Sequence, residues 1–129
     1  MGIAVPLNLE RIDWMPSPPL APDGGPIDTG HLARMTLGDA GLEREVLAMF
    51  SAQAAELVGK LAKLPSEALV LSHTLKGSAR AIGAFAVADA AAALEITIRN
   101  ASNPQPALAE LAGAVGEART AIDAILRRS

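Results

Sequence analysis

The chain has 129 residues, 50% of them hydrophobic, with a formal net charge of −3 and no cysteine. That length suits one compact domain, the missing cysteines exclude a disulfide scaffold and thiol-based metal or redox chemistry, and the acidic balance argues against nucleic acid as a partner. Alanine and leucine dominate while aromatic residues make up only 2%, so an all-α fold is expected before any motif is read.

Residues 1–26 carry Pro6, Pro16, Pro18, Pro19, Pro22 and Pro26 with Gly24 and Gly25, a density that forbids a long helix. This segment reads as a proline-rich arm preceding a bundle over residues 27–129. Its apolar residues Leu7, Leu9, Ile12 and Trp14 are expected to pack partly back on the domain, with a tether or partner-binding role as the alternative. The first residues show neither a secretory signal nor a myristoylation pattern, and no cluster of apolar residues reaches the roughly 20 a membrane span requires. A cytoplasmic location fits, with no membrane partner.

From Asp28 the pattern turns helical. Asp28 or Thr29 can cap a short helix carrying Leu32 and Met35, which Gly38 ends. Asp39 opens a long amphipathic helix whose apolar residues Leu42, Val46, Met49, Phe50, Leu57, Leu61 and Leu64 recur at three- and four-residue steps, and Pro65 breaks it. Ser66 is the expected N-cap of the next helix, which runs to about Gly83. A further helix spans about Phe85–Arg99 with Val87, Leu94 and Ile98. The last runs from about Pro106 to Arg127, with Leu108, Leu111, Val115, Ile122, Ile125 and Leu126 toward the core. Short breaks between long amphipathic helices predict an antiparallel, up-down-up-down four-helix bundle with a short additional N-terminal helix.

The third of these helices holds the run His73-Thr74-Leu75-Lys76-Gly77-Ser78-Ala79. At about 100° per residue, Ser66, Leu69, Val70, Lys76, Gly77 and Arg80 fall near His73, while Ala68, Leu71, Leu75, Ser78, Ala79 and Ile82 form the opposite stripe. The second set is the expected core, so His73 is predicted to face outward. A mid-helix glycine costs roughly 1 kcal/mol relative to alanine, so Gly77 beside the ring suggests that something must come close. Lys76 and Arg80 suggest that what comes is anionic, and exposed Leu69 and Val70 suggest a docking surface. A neutral imidazole nitrogen is a nucleophile, and a phosphoryl group is its obvious electrophile.

This run, followed by Ile82-Gly83-Ala84 and Leu94-Glu95, resembles the signature of histidine-containing phosphotransfer (HPt) domains of bacterial phosphorelays. The resemblance implies that His73 is the phosphoacceptor, that Lys76 assists with the phosphoryl charge and that Gly77 keeps the approach open. Ser78 and Ala79 would be small packing residues, and Gly83 would end the helix or allow close packing. The implied partners are response-regulator receiver domains, with a hybrid histidine kinase as a further candidate, and the implied state is a monomer. The magnesium ion used in transfer belongs to the receiver, so neither a metal site nor a cofactor is expected. The missing nucleotide-binding loop agrees with a phosphotransfer intermediate lacking its own ATP site.

His31, without a lysine-glycine context, reads as an ordinary surface or capping residue, and Glu43-Arg44-Glu45 as a solvated face. Asp89, Glu95 and Asp123 are too dispersed to suggest a carboxylate pair or metal cluster. Two other functions compete: a dimerisation and phosphotransfer module of a histidine kinase, which a stable dimer would favour, and a non-catalytic helical adaptor, for which His73 would be dispensable.

Overall fold

In the computed structural model, which describes residues 25–128, aspartates start the first two helices. The Asp28 carboxylate accepts from the His31 amide at 3.0 Å and opens α1 (Thr29–Met35), and the Asp39 carboxylate accepts from the Leu42 amide at 3.0 Å and opens α2 (Ala40–Leu61). Each satisfies an amide that the first helical turn leaves without a partner. Then follow α3 (Ala68–Ile82), α4 (Phe85–Arg99) and α5 (Gln105–Arg128), and no strand occurs among the described residues. The arm residues Leu7, Leu9, Ile12 and Trp14 lie outside the described residues.

The start of α3 departs from expectation. Ser66 lies in a turn, Glu67 occupies the cap position without a side-chain bond, and the Ala68 amide donates instead to the Pro65 carbonyl at 3.0 Å. The tight Pro65–Ala68 turn thus does what a capping hydroxyl would have done. At the other end of the chain α5 begins one residue earlier than expected. The Asn103 side chain accepts from the Gln105 amide at 3.1 Å, and Pro106 falls in the first turn, where its missing N–H costs nothing.

Helix α2 packs on α3 and α5, and α4 packs on the same two helices, closing a ring of four around one core. Its direction is visible in two bonds between α2 and α5. The Arg44 guanidinium donates to the Leu126 carbonyl at 3.0 Å, and Arg119 Nε donates to the Ser51 hydroxyl at 3.0 Å, so the two helices run antiparallel. Arg44 is therefore a tie between helices while remaining on the exposed face expected of it. Leu47, Leu61, Leu75, Leu94, Leu111 and Ile122 are fully buried, each contributing on the order of 2 kcal/mol of burial.

The predicted core of α2 needs correction. Phe50, Leu57 and Leu61 are buried together with Leu47 and Ala54, whereas Leu42, Met49 and Leu64 are exposed. Positions 47, 50, 54, 57 and 61 form the row that faces the ring, and Leu42 and Met49 lie on a neighbouring row that faces out. Leu64 lies beyond the helix end with a positive φ of 48°. Met35 is exposed as well, because the seven-residue α1 presents little more than Leu32 to the core.

Helix α1 seats on the junction between α3 and α4. The Asp28 amide donates to the Gly83 carbonyl at 2.9 Å, and the His31 ring lies 3.2 Å from the Ala81 carbonyl and meets Phe85 edge-on at 5.2 Å. His31 is thus a structural clasp. Gly83 ends α3 with a left-handed φ of 88°, and a Cβ there would lie 2.8 Å from the Asp28 carbonyl oxygen. Both roles suggested for Gly83, helix end and close approach, coincide.

Candidate functional site

Helices α3 and α4 share the most extensive contact in the ring. Their buried residues are mostly small: Ala68, Ser72 and Ala79 on α3, and Ala88, Ala90 and Ala91 on α4. Ser72 is fully buried, and its hydroxyl is satisfied within its own helix by the Ala68 and Leu69 carbonyls, each at 3.0 Å. Small side chains let two helices approach, and short polar side chains can then reach across.

The predicted stripe of α3 holds in outline. Ala68, Leu75, Ala79 and Ile82 are buried, Leu71 and Ser78 are half-buried, and His73 lies opposite them with 67% of its side chain exposed. Val70 is 64% exposed and Arg80 is exposed, whereas Leu69 is half-buried. Leu69 therefore supplies less open surface than expected, because it sits on the side of α3 turned toward α4. A Cβ at Gly77 would meet nothing within 4 Å. No neighbour among the described residues requires that glycine.

Sequence reasoning missed the centre of the site. Glu95, in sequence one of three dispersed acids, is a buried carboxylate with 3% of its side chain exposed, and three groups converge on it. His73 Nδ1 lies 3.1 Å from Oε2, Lys76 Nζ lies 2.7 Å from Oε1, and Arg99 Nη2 lies 3.3 Å from Oε2. Lys76 is only 18% exposed, so its ammonium is drawn across to α4 rather than standing free beside the ring. A signal was present in the sequence. Positions 87, 88, 91, 94, 95 and 98 share one face of α4, so a glutamate at 95 falls on an apolar stripe and must find partners there.

Burial alone would raise the Glu95 carboxyl above the ordinary glutamate range. The hydrogen bonds from Lys76 and then His73, with their charges, outweigh burial and hold it below that range. An ionised carboxylate can only accept, so the Nδ1 of His73 carries the proton and donates to Oε2. In the neutral ring, Nε2 then holds the lone pair. The arrangement presents an exposed nucleophilic nitrogen on a ring whose other nitrogen is anchored by a buried anion.

The site thus consists of an exposed histidine, anchored from the neighbouring helix and followed by lysine and an open glycine. A family model of the Hpt domain matches residues 45–128, and the chain belongs to that family. The match takes in His73, Lys76, Gly77, Glu95 and Arg99 and leaves α1 outside. Hpt domains act in histidine phosphotransfer within phosphorelays and interact there with receiver domains. No curated protein and no solved structure matches the chain significantly. Among the described residues no group of three or more His, Asp and Glu side chains is placed to hold a metal ion, and no helix is long and apolar enough to cross a membrane.

Proposed function

We propose that this chain is a phosphorelay carrier that accepts a phosphoryl group on His73 from the aspartate of one receiver domain and passes it to another. The bundle over residues 27–129, in up-down-up-down order, is the carrier, and it acts as a cytoplasmic monomer. The observation that carries the reading is the His73 ring itself, two-thirds exposed and held through Nδ1 by Glu95.

In the transfer, the Nε2 lone pair attacks the phosphorus of the aspartyl phosphate. An N–P bond forms, the acyl O–P bond breaks, and the electron pair of that bond leaves with the donor's carboxylate. The Nδ1 proton stays where it is, so no base is needed. Transfer to the second receiver is the reverse of these steps. Gly77, with open space where a side chain would stand, lets the receiver come close, and Val70 and Arg80 lie on the surface that it meets. Lys76, with three N–H donors and one of them on Glu95, has donors left for a phosphoryl oxygen.

Incubation with a phosphorylated receiver domain is expected to leave an acid-labile, base-stable label on the protein, and His73→Gln is expected to abolish it. A label of that kind on the His73→Gln protein refutes the assignment.

A further inference from the structure

The anchor of the His73 ring is a charged group, although a neutral amide could accept the same hydrogen bond. Glu95 sits 3% exposed, with Lys76 on one oxygen at 2.7 Å and Arg99 on the other at 3.3 Å. A structural link between α3 and α4 would need only an acceptor. The two cations do more, since they keep that acceptor an anion in a place where a lone carboxylate would tend to take up a proton.

The charge matters once the ring is phosphorylated, so any role for it rests on the reading of His73 as the phosphoacceptor. With phosphorus on Nε2 and a proton on Nδ1, the ring is a cation. When the N–P bond then breaks, the electron pair stays on Nε2 and the ring departs as neutral imidazole. Had the Nδ1 proton been lost first, the ring would have to depart as an imidazolate anion, a far poorer leaving group.

We propose that Glu95 is a positioning residue whose negative charge, 3.1 Å from Nδ1, holds the phosphorylated His73 ring in its protonated, cationic form and so keeps the phosphoryl group transferable. The groups facing Glu95 are His73 and Lys76 from α3 and Arg99 from its own helix. Lys76 and Arg99 carry the compensating charge, which leaves the carboxylate ionised while the ring shares it.

The test uses phosphoramidate, a small phosphodonor that needs no receiver, on the full chain. Ring ¹H–¹⁵N correlation spectra then report whether the phosphorylated imidazole carries its Nδ1 proton. At pH 8 the native protein is expected to keep that proton in a fraction several-fold larger than Glu95→Gln does, because an opposite charge 3.1 Å from Nδ1 favours the cationic ring. The native fraction should also exceed that of free Nε2-phosphohistidine. Loss of the label to water at pH 8 is expected to be several-fold slower in Glu95→Gln, because its ring is the poorer leaving group.

Glu95→Gln leaves the Lys76 ammonium without its anion, so a Glu95→Gln, Lys76→Met double variant repeats the comparison without that defect. Equal protonated fractions in native and variant proteins, or a native phosphorylated ring already lacking its Nδ1 proton at pH 8, overturn the role of Glu95 and leave His73 as the phosphoacceptor. Failure of phosphoramidate to label His73 at all in the native protein counts instead against the phosphoacceptor reading, and this inference falls with it.

Discussion

His73 and Glu95 lie 22 residues apart in sequence, and their side chains meet at 3.1 Å across the α3–α4 contact. One is exposed and the other buried, so the pair joins a solvent-facing ring to an anion inside the bundle. Both the acid stability of the fold and the chemistry of the ring are expected to follow from that juxtaposition.

Acid should weaken the fold through Glu95. Its carboxyl is depressed below the ordinary value of 4.5, so protonating it costs more in the folded chain than in the unfolded one. Its contribution is present in full above pH 4.5 and fades as the pH falls through the lower folded value. Glu95→Gln should therefore show its largest stability deficit near neutral pH, about 1–3 kcal/mol for an ammonium stripped of its partner. Urea midpoints of native and variant proteins at pH 7 and pH 3 should converge at the acid end.

A second expectation separates docking from chemistry at Gly77. With nothing within 4 Å of its missing Cβ, Gly77→Gln should fold as well as the native chain or gain up to about 1 kcal/mol from helix propensity. Labelling by phosphoramidate should persist, whereas transfer from a phosphorylated receiver should fall by about tenfold or more, since a side chain placed at the contact misaligns the reacting atoms. Equal rates from the receiver would remove Gly77 from the docking surface.

Gly83 should behave in the opposite way. Alanine there combines a φ of 88° with a Cβ 2.8 Å from the Asp28 carbonyl, so Gly83→Ala should cost about 2–4 kcal/mol and loosen α1. Denaturation curves and hydrogen exchange at the Asp28 and His31 amides would measure this. Phosphoramidate labelling of the folded fraction should remain close to native.

Val70, 64% exposed beside the ring, tests the apolar part of the same surface. Val70→Asp should change stability by no more than about 0.5 kcal/mol, as an exposed substitution. It should slow transfer from a receiver several-fold by placing a desolvated charge in the contact. A stopped-flow transfer assay beside a thermal melt would separate the two effects.

Much of the fold was legible in the chain. The aspartate caps at 28 and 39 and the stop at Gly83 are local events that a few neighbouring residues specify, and they stand where they were expected, whereas α2 already ends at Leu61, short of the break expected at Pro65. The facing of His73 followed from the apolar stripe of its own helix. The row of α2 that faces the core was less legible. Leu42 and Met49 are as hydrophobic as Leu47, and only the positions of α3 and α5 choose between adjacent rows.

The sequence alone thus determined the helices, their order and the side of α3 on which His73 stands, because helix caps, breakers and 3.6-residue periodicity act over a few residues. Tertiary structure decided what His73 touches. Bringing Glu95 from α4 to the ring, and drawing Lys76 and Arg99 onto the same carboxylate, depends on how closely two helices rich in small residues approach and how they are rotated. Those quantities belong to the packed pair, since a buried charge selects its partners only after the apolar contacts have put them within reach.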